Sequence, residues 1–394
     1  MLLLNCYYNA SPKLQNSDGK KMEKPIYRAD HVGSLLRPDS IKNARKAYNE
    51  TSSINATDLK GVEDQAIEEL ILMQEAAGLM AVTDGEQRRS FWHYDFMGEL
   101  SGLEMEEREP DSGVQFAGVK LRPIFPTITD KIDFPENHPH LDHFRFVKDN
   151  TKVTPKISIP GPSCCHFRTA LEDIQPTEYA DIELLTADIA QTYKKAVTAF
   201  YEAGCRYLQM DDIFFAYLCD PKHRSSAILK KQDPDYLISR YAWMMNEAIK
   251  DRPDDMTIAM HMCRGNFRST HAAEGAYDSV ADTVFNKTGV DVFFMEYDTD
   301  RAGGLEPLKF LAKGHQRIMP GFITTKTGTL EGKDWLKRQF DEASKYVDLE
   351  QLGIAPQCGF ASTEEGNSLT FDDQRRKLDL VVSTAEDIWG GVDK

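Results

Sequence analysis

No apolar run in the 394-residue sequence approaches the roughly 20 residues that a membrane-crossing helix requires, so no membrane partner is expected. Cysteine is sparse. Seven scattered residues, an odd number, cannot form the dense disulfide framework of a small secreted domain, which points to a reducing, cytoplasmic setting. Basic residues are the minority, 47 against 63 acidic, giving a formal charge of -16 with no Lys/Arg-rich stretch. A surface for nucleic acid or anionic lipid needs clustered positive charge, so both are excluded as partners. Low-complexity tracts are missing too, and 41% hydrophobic content is enough to bury a large core. The start, MLLLNCYYN, lacks a preceding basic region, and Asn5 interrupts it well below signal-peptide length. Residues 1-24 read as a loose extension, with 25-394 as the catalytic domain.

What the chain does have is a repeated alternation. Short β-branched or apolar runs ending in polar residues are followed by longer segments of helical periodicity, the pattern of βα units. Candidate strands are 26-33, 79-84, 155-160, 205-211, 256-263, 291-296, 316-323 and 352-358. Eight such units are what a closed (β/α)8 TIM-like barrel needs, although a doubly wound open sheet uses the same units. Leu59, Val62, Ala66, Leu70 and Met73 share one helical face, and Leu185, Ile189, Tyr193, Ala196 and Phe200 share another. A last helix is expected over 372-388. One connection breaks the rhythm. About 70 residues separate the second and third runs, so an insertion is expected at about 97-154. It contains VQFAGVKLRPIF, which reads as a hairpin, and the polar stretch ENHPHLDHF.

The chemistry concentrates at the ends of the candidate strands. His261 and Cys263 stand two apart at one strand end and therefore face the same side. Glu296 ends the next strand and Cys358 the last. In a barrel these ends converge on the face where active sites lie. An imidazole, two thiolates and a carboxylate suit Zn²⁺, at spacings unlike those of zinc fingers or ribbons. Each residue alone has an ordinary alternative: His-x-Cys pairs are usually incidental, Cys358 could be a buried core cysteine and Glu296 a loop acid. A four-ligand site could also be purely structural. Three negative charges against two positive ones, however, make the metal a poor Lewis acid while leaving a bound thiolate electron-rich, which favours thiol alkylation over water activation.

At these residues the sequence resembles the catalytic half of cobalamin-independent methionine synthase, and more closely the short single-barrel proteins related to it, over roughly 26-390. The family's zinc ligands, a His-x-Cys pair, a Glu ending the next strand and a distal Cys, fall on His261, Cys263, Glu296 and Cys358. Its Ile-Gly-Ser is similar to HVGS at 31-34, its His-Gly-Glu to DGE at 84-86, and its Ile-Asp-Glu to MDD at 210-212. The resemblance implies that Ser34 holds the carboxylate of homocysteine while Glu86 and Asp211 pair with its ammonium group. An ammonium fixed between two carboxylates beside a metal-bound sulfur would orient a short amino thiol for attack. Implied too is a 5-methyltetrahydrofolate-type methyl donor, with methionine as product. The pattern departs at TTK, 324-326, where Lys326 replaces the family's proton-donating histidine; a lysine of lowered pKa could donate a proton in its place.

Other residues near strand ends are weighed against bland roles. His31 is the candidate to line the mouth among Arg28, Asp30 and His31, because alternate strand residues face outward. Glu86 could instead pair with Arg88 or Arg89, and Asp211 could be a solvated acid. Trp92, His93 and Tyr94 could wall a flat donor or serve the core. Cys164 and Cys165 read as bystanders. Rival functions are a zinc-dependent alkyltransferase acting on another thiol or electrophile, as in epoxide opening by coenzyme M, a zinc-stabilised non-catalytic barrel, and a metal-free decarboxylase-like barrel.

Overall fold

The computed structural model describes residues 25-108 and 124-393, so the expected extension at 1-24 and most of the VQFAGVKLRPIF segment lie outside the described residues. Among the described residues eight strands run in chain order: β1 (Ala81–Val82), β2 (Ser101–Glu107), β3 (Ile124–Asp133), β4 (Thr154–Pro160), β5 (Tyr207–Asp211), β6 (Thr257–Met262), β7 (Val292–Glu296) and β8 (Arg317–Gly321). β2 and β3 pair with each other as an antiparallel hairpin, whereas the other six form one parallel sheet in the order β1-β4-β5-β6-β7-β8. Helices follow the parallel strands, as the crossover rule for parallel neighbours demands.

Two of the eight expected runs do not become ladder strands. Segment 26-33 touches 352-358 through a single parallel bridge, Ala29 to Ile354, and 352-358 touches the β8 side through Ile318–Leu352 and Ile323–Pro356. Pro356 has no N–H to give a ladder, and a side chain on Gly353 would collide with Met319 and the Arg28 carbonyl. Between the first and second runs the ties are Leu35 N to the Gly85 carbonyl, 3.0 Å, and Thr83 Oγ1 to the Gly33 carbonyl, 2.6 Å.

Strand periodicity sorts the core into two clusters. Leu208, Met210, Ile258, Met260, Phe293 and Met295 pack outward against the helices, while Tyr207, Ala259, Val292, Phe294 and Met319 pack inward with Tyr27, Val32 and Ala355. The helix Ile182–Glu202 presents Leu185, Ile189, Tyr193, Ala196 and Phe200, all buried, to the outer cluster. Each large apolar side chain removed from water there contributes about 1.5–3 kcal/mol. The helix Ala56–Ala76 differs from its expected face: Ala66, Ile67, Leu70 and Ile71 are buried, and Leu59, Val62 and Met73 only partly so. The last helix, Phe371–Trp389, is opened by a capping box between Thr370 and Asp373.

The segment expected as an insertion carries the antiparallel β2–β3 pair followed by the helix Pro139–Asn150. Its polar-looking stretch is interior in part: His138, His140, Leu141 and Phe144 are buried, while Glu136, Asn137 and Asp142 are exposed. His138 stacks on Phe134 with ring centroids 4.9 Å apart and bonds the Phe96 carbonyl at 3.1 Å, and His140, Leu141 and Phe144 are buried beside it. Burial holds His138 neutral, its pKa lowered to about 4. A neutral imidazole can be buried at modest cost, which is why a run of histidines reads as surface yet packs as core. Among the described residues no helix is long and apolar enough to cross a membrane, and all six cysteines are free thiols.

Candidate functional site

The inward parity of β5, β6 and β7 continues to their C-terminal ends, where it brings Asp211, His261, Cys263 and Glu296 to the same side as Tyr207, Ala259 and Phe294. Asp211 and His261 are register partners across β5 and β6. Cys358 arrives from the last segment. The ligand atoms of His261, Cys263 and Cys358 lie within 4.8 Å of one another, all buried.

Their arrangement fits a metal. The two sulfurs stand 3.6 Å apart, close to the roughly 3.8 Å that two thiolates about 2.3 Å from one tetrahedral Zn²⁺ would adopt. Neither ring nitrogen of His261 has a hydrogen-bond partner among the described residues, and its Nδ1 is 3.4 Å from the Asp211 carboxylate. Burial opposes charge on Cys358, but the Cys263 hydrogen bond and the His261 imidazole overcome it and hold the Cys358 thiol well below its usual range. Burial likewise opposes charge on His261, and Cys358 with Asp211 outweighs it, raising the group to about 10. A buried thiolate in this place calls for positive charge beside it, which a divalent cation supplies.

Glu296 is not part of this close cluster. Its carboxylate accepts from the Arg264 backbone N–H at 2.7 Å and from the Arg301 guanidinium, with Lys326 Nζ at 3.4 Å. Burial pushes its pKa up, but Lys326, Arg264 and Arg301 prevail and hold it at about 2, a permanent carboxylate. Lys326 bridges Glu296 and Asp298, each at 3.4 Å. The expectation of a lysine with lowered pKa is corrected: burial would lower it, but Glu296 and Asp298 raise it, so Lys326 stays protonated. Neither Glu296 nor Lys326 lines the neighbouring cavity.

The neighbouring cavity has His261, Cys263 and Cys358 in its wall together with Ser34, Glu86 and Asp211, so six of the nominated residues meet there. Glu86 sits in a left-handed backbone conformation, φ +57°, a costly one for a residue with a side chain and a common mark of functional positions. Ser158 donates to its Oε1 at 2.7 Å, Arg89 lies 3.6 Å away, and Oε2 has no hydrogen-bond partner among the described residues. Burial raises its pKa to about 7 against the pull of Arg89. Asp211 accepts from Gln209 at 2.7 Å. Gly33 is required: its φ is +137°, and a Cβ there would come within 2.9 Å of Ser158 Oγ.

His31 does not line the cavity. It is buried below it, where its carbonyl accepts from Lys156 at 2.6 Å, and burial lowers its ring pKa to about 4. Trp92, His93 and Tyr94 do form a wall, with Trp92 and His93 stacked at 4.3 Å. Cys164 and Cys165 are buried with raised pKa values, outside the cavity lining.

Several contributors escaped the sequence reading. Arg37 donates to the carbonyls of Glu86, Arg89, Ala361 and Thr363, tying the loop after β1 to the C-terminal loop. Arg264 props Glu296 from behind; its place directly after Cys263 was the available signal. Arg168, Asn266 and Thr363 line the cavity with no sequence motif to announce them.

A buried imidazole and two thiols, set beside two carboxylates at the strand ends of a parallel sheet, define an α/β enzyme equipped to handle a thiol. Comparison with known proteins agrees. Residues 29–386 match the family described as cobalamin-independent synthase, catalytic domain, and the chain belongs to that family of methyltransferases, whose reaction is methyl transfer to homocysteine. The uncharacterized Bacillus subtilis protein YxjH is 44% identical over 371 residues, covering 94% of this chain and 97% of its own. A solved Listeria monocytogenes protein, proposed to be a vitamin-B12 independent methionine synthase, is 38% identical with a TM-score of 0.74, covering 94% of this chain and all, 100%, of that one. The B12-independent methionine synthase of Shewanella sp. W3-18-1, solved with selenomethionine, shares the fold at 19% identity and TM-score 0.67, covering 93% and 98%.

Proposed function

We propose that this chain is a zinc-dependent S-methyltransferase that moves a methyl group from a 5-methyltetrahydrofolate-type donor to homocysteine, giving methionine, on a single (β/α)8 barrel spanning 25-394. The barrel reading is supported by the bridges that join 26-33 to 352-358 and 352-358 to the β8 side, together with the ties between Gly33 or Leu35 and the loop after β1.

The observation that carries the reaction is the meeting of the His261, Cys263 and Cys358 cluster with Ser34, Glu86 and Asp211 in one cavity. His261, Cys263 and Cys358, with the ionised Glu296 as fourth ligand, would hold Zn²⁺, which supplies a substrate thiolate that persists at neutral pH. The chain's own residues do the rest. The free Glu86 oxygen and Asp211 grip the ammonium, Ser34 receives the carboxylate, and the sulfur is left pointing at the donor. As the S–CH₃ bond forms, the donor's N–CH₃ bond breaks, its electron pair returns to nitrogen, and a proton from solvent or a cavity group neutralises it. Lys326, protonated and locked between Glu296 and Asp298, serves charge balance behind the ligands. Two carboxylates facing the cavity disfavour a sulfonated thiol.

The test is metal analysis of the purified protein followed by methyl-transfer assays with homocysteine. Stoichiometric zinc and labelled methionine from 5-methyltetrahydrofolate are expected. Failure of the zinc-replete enzyme to transfer a methyl group from a folate, a methylcorrinoid or a sulfonium would falsify the assignment.

A further inference from the structure

Arginine provides an internal control in this molecule. The guanidinium of Arg37 makes four hydrogen bonds to carbonyls, that of Arg264 donates to the carbonyls of Gly275, Glu296 and Ala302, and that of Arg28 to Glu350 and the Leu352 carbonyl. Such satisfaction is the rule for buried polar groups, because an unpaired donor forfeits its hydration without return. Five arginines among the described residues, Arg89, Arg168, Arg252, Arg301 and Arg317, have a buried Nε with no hydrogen-bond partner, and of these Arg168 alone lines the cavity. Among the described residues its side chain makes no hydrogen bond and no ion pair. Its only contact of note is the ring of Phe214, 5.4 Å from the guanidinium carbon.

Its position is fixed by the fold. β4 ends at Pro160, the short helix Ser163–Phe167 follows, and Arg168 caps it by donating its backbone N–H to the Cys164 carbonyl at 3.2 Å. From there it stands beside the wall of Trp92, His93 and Tyr94; its charge reaches both His93 and Tyr94, and neither ring nitrogen of His93 has a hydrogen-bond partner among the described residues. Five unused donors in a planar fork, next to a stacked aromatic wall, match a carboxylate carried by a flat molecule. The thiol substrate has its own carboxylate contact at Ser34, and the acids Glu86 and Asp211 repel a further anion near them. The place left for an anion is on the aromatic side.

We infer that Arg168 is a specificity-determining residue that recognises a carboxylate on the methyl donor and so selects charged donors over neutral ones. This rests on the proposed methyl transfer, but its test does not need turnover. Dissociation constants of the zinc-loaded protein are measured for 5-methyltetrahydrofolate and for a 5-methyltetrahydropterin lacking the benzoylglutamate side chain, which is uncharged. Wild type is expected to favour the carboxylated probe about tenfold or more. Arg168→Gln reduces that preference towards unity, and Arg168→Lys, which keeps charge but loses the fork, retains an intermediate preference. The affinity for homocysteine stays within twofold in both.

Absence of a preference in wild type, or its survival in Arg168→Gln, overturns the inference. So does a loss of the preference for homocysteine over 3-aminopropane-1-thiol in the variants, because Arg168 would then hold the thiol substrate's carboxylate. If Arg168→Gln does not fold, an unchanged preference in Arg168→Lys is the overturning result and a reduced one the supporting result. A wild type that shows the binding preference but transfers no methyl group separates the failure of the proposed function from that of this inference.

Discussion

The two ends of the inward face treat their buried charges differently. At the lower end, Lys156 is fully buried, yet it donates to Asp30 at 3.0 Å and to the His31 carbonyl, and Tyr207 donates to the other Asp30 oxygen at 2.6 Å. The ammonium also lies over the Phe294 ring at 4.3 Å. Lys156 and Asp30 thus answer each other, although Arg317 Nε and both ring nitrogens of His31 have no hydrogen-bond partner among the described residues. At the upper end the Glu86 Oε2 atom, both His261 ring nitrogens and the Arg168 Nε have no partner among the described residues. Buried polar groups that are satisfied hold a fold together, whereas those left open in the wall of a cavity, as Glu86, His261 and Arg168 are, mark where a ligand can complete the structure.

The comparison breaks most completely at Cys358. Cys358→Ser should lose zinc and all methyl transfer while circular dichroism and thermal unfolding stay close to those of the metal-free wild type; a variant that unfolds would move this residue to the structural end of the contrast. Next in size is Lys156→Met, expected to destabilise the protein by about 3–5 kcal/mol because Asp30 is left buried without its cation. Urea unfolding measures this, and Lys156→Met with Asp30→Asn should recover a good part of it. A double variant no more stable than the single one would mean that packing, not charge, is at stake.

A smaller effect belongs to Glu86. Its pKa of about 7, raised from the ordinary 4.5 mainly by burial, leaves it neutral in mild acid, so homocysteine binding should strengthen as pH rises through about 7. The sign for stability is opposite. A carboxyl whose folded pKa is raised contributes stability that is complete below about 4.5 and is lost as pH climbs through about 7. Glu86→Gln should weaken homocysteine about tenfold to a hundredfold at pH 8 and remove this component of both pH profiles. A pH profile identical to wild type would exclude Glu86 as the titrating group. The floor of the scale is a surface ion pair such as Arg145–Asp142, 2.7 Å apart but exposed. Arg145→Ala should change stability by less than about 0.5 kcal/mol in the same urea assay.

Much of this was readable in the chain. Six of the eight expected runs are ladder strands, because Tyr207, Gln209 and Asp211 or Ala259, His261 and Cys263 repeat with a period of two. The other two runs were misjudged in extent, since Pro356 and Gly353 pair backbone only locally. The cavity residues Ser34, Glu86 and Asp211 were nominated through the resemblance of HVGS, DGE and MDD to motifs of the synthase family, and all three line the cavity. His31 was not separable from them by sequence, because whether a strand residue faces the mouth or sits a turn lower depends on the tilt of the sheet. Arg168 and Arg37 were invisible for a different reason: what distinguishes them is the presence or absence of partners distant in sequence, as with Arg37 and Thr363, which no local spacing encodes.

Gln209 lies midway along β5, and its side-chain amide donates both to the Val32 carbonyl and to Asp211 Oδ1. Below it Lys156, Asp30 and Tyr207 satisfy one another; above it the interior opens on the cavity. Such a boundary allows the mouth to be rewritten for another donor or thiol by substitutions at strand ends and loops, while the lower half keeps the chain folded throughout. Gln209 is the one inward position on its strand where the two duties meet, and it is there that a change made for chemistry would also be felt as a change in stability.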